Sequence, residues 1–86
     1  MSSSHLDLVC SHVARILREE REKRKISMTA LAERAGLSRT MIRFVEREVR
    51  NPTLETLLRM TKALEIDLGK VIQKADATAR KNKRIA

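Results

Sequence analysis

Arg39, Thr40, Arg43 and Phe44 stand one and four residues apart, the spacing of a single helix face. Together they offer guanidinium donors, a hydroxyl and one apolar ring. They fall inside the stretch from Ser27 to Pro52, which reads as a short helix, a three-residue turn and a second short helix. One face of this unit is apolar, and the opposite face of its second helix carries the four residues. A rigid basic helix turned toward solvent suits a polyanion with a groove, so duplex DNA is the expected partner.

Other chemistry is poorly represented. His5, Cys10 and His12 do not form a metal set, because Cys10 and His12 are two residues apart and point to different faces of a helix. There is no Ser-His-Asp constellation, no glycine-rich phosphate loop and no HExxH motif. Neither catalysis nor a metal or other cofactor is expected.

Composition agrees with a small helical binding protein. The 86 residues allow one domain near the lower limit for an unaided core. Two glycines, one proline and one aromatic residue leave a sequence rich in Ala, Leu, Arg, Lys and Glu, so an all-α fold is expected. The formal charge of +8 again implies a polyanionic partner. No apolar run approaches the roughly 20 residues of a membrane span, and the start lacks the basic region and cleavage site of a secretory signal. With one cysteine and no internal disulfide, a cytoplasmic protein without a membrane partner is expected.

The elements that would position these residues can be placed from their caps and stripes. Ser4 opens a first helix with Leu6, Val9, Val13, Ile16 and Leu17 at helical spacing. Ser27 caps a second helix that buries Leu31, Ala32 and Ala35, and Gly36 ends it. Leu37 turns inward, and Ser38 caps a third helix with Ile42 and Val45 on its inner side. Asn51-Pro52-Thr53 starts a fourth, with Leu54, Leu57, Leu58, Thr61 and Leu64 expected as its inner stripe. A short fifth helix opens near Asp67, carrying Leu68, Val71 and Ile72. Periodicity fails after Ala75, so residues 1–75 are expected to form the domain and residues 76–86 a frayed helix end or mobile basic tail.

This pattern, with A-G-L-S-R-T, V-E-R and R-N-P-T-L-E-T-L in register, resembles the Cro/repressor-type (Xre-type) helix-turn-helix family from about Val13 to Ile72. Short stand-alone members such as restriction–modification controller proteins and phage-like repressors are the most similar. The resemblance implies a five-helix, lambda-repressor-like domain that binds operator DNA as a dimer and has no enzymatic activity. It places base contacts on Arg39, Thr40, Arg43 and Phe44. Arginine can donate twice to guanine O6 and N7, Thr40 can bond a base or phosphate, and Phe44 can meet thymine methyls or pack against a neighbouring helix. Phosphate contacts would fall to Ser38, Thr29, Arg47, Arg50 and Asn51. Arg21 and Glu46 would form a semi-buried ion pair between the first and third helices.

Three positions depart from the family pattern. Met28 stands where glutamine is usual, and Lys25 and Glu48 stand where glycine is usual. Those two turns either differ or hold these residues at positive φ. Ile66, Leu68, Val71 and Ile72 are nominated for a homodimer interface, with Leu6, Val9 and Ile16 of the first helix as the competing patch. No ligand-binding domain for a small-molecule effector is evident. The expected function is sequence-specific transcriptional regulation on a palindromic operator. The alternative is a protein-interaction module, such as an antitoxin or adaptor, on the same fold.

Overall fold

The computed structural model describes residues 4–85, with side chains from Ser4 to Lys81. Five helices follow in order: α1 (His5–Lys23), α2 (Met28–Ala35), α3 (Arg39–Glu46), α4 (Leu54–Ala63) and α5 (Leu68–Ile85). No strand occurs among the described residues.

Short hydroxyl side chains set the helix starts. Ser4, Ser27, Ser38 and Thr53 each accept a hydrogen bond from the backbone N–H three residues on, at 3.0–3.1 Å. Asp67 does the same for α5 through the Lys70 N–H at 3.0 Å. Each cap satisfies a donor that the helix cannot pair internally, and losing one typically costs about 1 kcal/mol.

The helix ends share one geometry. Gly36 after α2 is left-handed at φ 68°, and so are Lys25 after α1, Glu48 after α3 and Glu65 after α4, at φ 55°, 58° and 59°. In each turn the next residue, Leu37, Ile26, Val49 or Ile66, donates its N–H to a carbonyl five residues back at 2.9–3.1 Å. That bond closes the helix end and turns the chain sharply. Only Gly36 adopts this conformation without a Cβ clash; the other three carry a cost on the order of 1 kcal/mol each. The turns at Lys25 and Glu48 therefore keep their shape and accept the strain. Glu65 belongs to the same class.

The core joins all five helices. Val13 and Leu17 of α1 meet Leu31 and Ala32 of α2, Ile42 and Val45 of α3, Met60 with Leu64 at the end of α4, and Leu68, Val71 and Ala75 of α5. Helix α4 buries Thr61 and Leu64 and packs Leu57 against the core as expected, but it turns the other two residues of the expected stripe outward. Leu54 and Leu58 are 63 % and 49 % exposed, whereas Thr56, Met60, Thr61 and Leu64 are buried. A stripe through Met60 has the same helical period as one through the leucines, and shape at the centre of the core selects the unbranched methionine. The buried Thr61 hydroxyl is satisfied by the Leu57 carbonyl at 3.0 Å.

Helix α5 does not fray at Ala75 but continues as helix to Ile85. Ala75 and Ala79 are fully buried, and with Leu68 and Val71 they make a stripe at three- and four-residue spacing. Alanine is too small to announce an apolar stripe, yet its size is what lets α1 and α5 pack closely along their length. A polar lock closes the far end of this pair: His5 Nε2 lies 2.6 Å from Asp76 Oδ1. Residues 1–3 of the expected domain and Ala86 of the expected tail lie outside the described residues.

Candidate nucleic-acid interface

Helix α3 is held from behind and at both ends. Ile42 and Val45 are buried on its inner side, the Ser38 hydroxyl accepts the Met41 N–H at 3.0 Å, and Glu46 is gripped at its last turn. The Glu46 carboxylate receives both prongs of the Arg21 guanidinium, Nε to Oε2 at 2.7 Å and Nη2 to Oε1 at 3.0 Å. The third nitrogen, Nη1, donates to the Ile26 carbonyl at 2.8 Å. The Glu46 side chain is 1 % exposed and that of Arg21 is 11 %. The hydrogen bond to Glu46 raises the Arg21 pKa above its ordinary value and outweighs the opposing effect of burial. One ion pair thus ties α1, the turn after it and the end of α3 into a single body.

What remains on the outer side is basic. Arg39, Thr40 and Arg43 are exposed on α3, and Thr29, Ser38, Arg47, Arg50 and Asn51 are exposed around it. Between Ser27 and Thr53 five arginines face three glutamates, and one of those, Glu46, is already neutralised by Arg21. The outer face can donate hydrogen bonds to base edges and phosphate oxygens at several points. Among the described residues there is no group of three His, Cys, Asp or Glu side chains that could hold a metal.

Phe44 is half-buried, and the Arg50 guanidinium lies over its ring at 5.4 Å from the centroid. Such stacking preorganises Arg50, which hangs from the loop after α3. The sequence signals neither this pairing nor its direction, because the six-residue separation crosses the left-handed turn at Glu48. Met28 packs against the core, so no polar side chain occupies the place the family gives to glutamine.

The four nominated interface residues do not share one fate. Leu68 and Val71 are buried inside the protomer and Ile66 packs against its core, while Ile72 is 40 % exposed. A longer α5 needs Leu68 and Val71 to hold it on α1, and this removes them from any surface patch. Ile72 instead borders an apolar groove of about 180 Å³ between α1, the loop after α3 and α4, lined also by Val9, Cys10, Pro52 and Leu57. In the competing patch Leu6 is 74 % exposed, whereas Val9 and Ile16 are half-buried against the core.

Two short helices joined by a left-handed glycine turn, the second anchored behind and basic in front, define a helix-turn-helix domain. Residues 17–71 match the helix-turn-helix family. The control protein C.SmaI of Serratia marcescens is 42% identical over 60 residues, which span 70% of this chain and 71% of that protein. The immunity repressor protein of Bacillus phage phi105 is 38% identical over 52 residues, 60% of this chain but only 36% of the repressor. Among solved structures, a point mutant of the restriction–modification controller protein C.Esp1396I superposes with a TM-score of 0.71 at 27% identity, covering 78% of this chain and 87% of that one. The chain belongs to the helix-turn-helix family of DNA-binding transcriptional regulators, of the type that includes controller proteins and repressors. This is a family of regulators, not of enzymes.

Proposed function

We propose that this protein binds a palindromic operator as a homodimer, with α3 lying in the major groove. The observation that carries this reading is the exposure of Arg39, Thr40 and Arg43 on a helix immobilised by Ile42, Val45 and the Arg21–Glu46 pair. Arg39 and Arg43 supply two-pronged donors for guanine, and Thr40 supplies a hydroxyl or methyl contact. Phe44 either meets thymine methyls at the groove edge or serves as the platform for Arg50. Ser38, Thr29, Arg47, Arg50 and Asn51 fix the register on backbone phosphates.

A domain of this size covers one half-site, so an inverted repeat requires two copies. Exposed Ile72 and the apolar groove beside it support dimerisation through this side of the molecule. No membrane contact enters this function; no helix among the described residues is long and apolar enough to cross a bilayer. A cytoplasmic location follows from a role on DNA.

Selection from a randomised duplex pool, followed by sequencing of the bound fraction, tests the proposal directly. An enriched inverted repeat with half-sites about 34 Å apart is expected. Binding without enrichment would leave the basic face as a phosphate grip alone and would point to a protein partner for specificity.

A further inference from the structure

We infer that Phe44 is a positioning residue for DNA binding: its ring holds the Arg50 guanidinium ready for a backbone phosphate, and it does not itself read a base. The inference rests on the DNA-binding function proposed above and decides which of two roles Phe44 plays there.

The backbone brings the two residues together. Phe44 lies in the last turn of α3, and its carbonyl accepts the Val49 N–H at 2.9 Å across the left-handed residue Glu48. That bond fixes the start of the loop to the helix end, so Arg50 leaves the turn next to the residue that closes it. Two residues further on, the ring of Pro52 fixes its own φ and restricts Asn51 to extended backbone. Arg50 is thus confined on both sides, and its guanidinium lies over the Phe44 ring at 5.4 Å from the centroid.

The state of the other arginines points the same way. Arg18, Arg21, Arg24, Arg59 and Arg80 each pair with a carboxylate. Arg39, Arg43, Arg47 and Arg50, on and after α3, make no ion pair among the described residues, and of these four only Arg50 is held by another side chain. A carboxylate would neutralise a guanidinium, whereas a ring attracts it without supplying a counter-charge. Arg50 therefore keeps its full charge, while part of the ordering cost that a long side chain incurs on binding is already met. Phe44 is half-buried, and Thr40, one turn earlier on the same face, is exposed. With Arg50 over one face, the ring has little surface left for a thymine methyl.

The test is a double-variant cycle on binding to a random-sequence duplex several turns long, for the parent, Phe44→Leu, Arg50→Gln and the two combined, with thermal melts confirming that each is folded at the assay temperature. Arg50→Gln should reduce the slope of log K against log salt by about 0.9 per bound protomer, the loss of one phosphate contact. Phe44→Leu should weaken binding by about 2- to 10-fold per bound protomer, the equivalent of ordering one long side chain, and should add no loss in the Arg50→Gln background. Phe44→Tyr, which keeps the ring, should bind as the parent does. In the DNA-free protein the ring should shift the Arg50 side-chain protons upfield in NMR spectra, and Phe44→Leu should abolish that shift. Equal losses from Phe44→Leu in both backgrounds, an unshifted Arg50, or an unchanged salt slope in Arg50→Gln would each overturn the positioning role while leaving α3 as the DNA-binding element. Absence of any salt-dependent binding by the unaltered chain overturns the DNA-binding function and the positioning role together.

Discussion

Replacing Glu46 with alanine strands the Arg21 guanidinium in a site where its side chain is only 11 % exposed. Breaking a buried ion pair by removing one partner costs about 3–5 kcal/mol, because the remaining charge is deprived of both water and counter-charge. Arg21 keeps its bond to the Ile26 carbonyl and some solvent, so the lower end, about 3 kcal/mol, is expected. In a domain of this size, where 1 kcal/mol moves the midpoint by about 4–8 °C, thermal unfolding should fall by roughly 12 °C or more. Arg21→Met/Glu46→Leu should recover most of that loss, since a well-packed apolar pair often replaces a buried ion pair without penalty. Circular dichroism melts of the parent, the single and the double variant settle the matter. A single-variant shift below about 4 °C, the range of an exposed pair, would refute the argument from burial. A double variant as damaged as the single would show that packing, not stranded charge, accounts for the loss.

Lys25→Gly, Glu48→Gly and Glu65→Gly should each stabilise the fold by up to about 1 kcal/mol in urea titrations, because each residue sits at positive φ; destabilisation would mean that the side chain holds its turn. Deleting residues 76–86 should lower thermal stability, since it removes buried Ala79 and the His5–Asp76 pair, whereas a mobile tail would leave the melting temperature unmoved. Hydrogen bonds from Arg80 and His5 hold the Asp76 pKa below its ordinary value, so its contribution is present above the ordinary carboxylate pKa and fades as pH falls through the lowered one. The stability difference between parent and Asp76→Asn should therefore shrink on acidification, and a difference that grew would reverse the sign. Arg39→Ala should weaken the selected operator by about 1–3 kcal/mol more than random duplex in competition titrations, and equal losses would exclude base reading by that residue. Ile72→Glu should impair self-association in sedimentation without unfolding the protomer, because Ile72 is exposed where Val71 is core; a variant that associates as before would move the interface elsewhere.

Much of this architecture is local and therefore legible in the residues. The Ser and Thr caps, the glycine after α2 and the apolar pairs Leu31–Ala32 and Ile42–Val45 act within one or two helical turns, where spacing alone decides the outcome. Register against distant partners is less visible. On α4 the inner places expected for Leu54 and Leu58 go to Thr56 and Met60, a choice made by packing against the other helices and not by the helical period. The extension of α5 is hidden in the sequence because Ala75 and Ala79 gain their importance from close approach to α1, not from hydrophobicity of their own. Stacking of Arg50 on Phe44 depends on a left-handed glutamate that no propensity would place there.

The pairing of α1 with α5 also orders events in the life of the nascent chain. His5 and Asp76 are separated by 71 positions, so α1 is synthesised long before the helix that covers Val13 and Leu17 exists. The α2–α3 hairpin can form from neighbouring residues and be covered by α1 and α4, but the face of α1 that receives α5 stays open until α5 has left the ribosome. Through that interval the apolar face of α1 is open to chaperones and to other chains. Slowing translation within α5 should lengthen this exposure, whereas a pause between α2 and α3 should leave the yield of folded protein little changed.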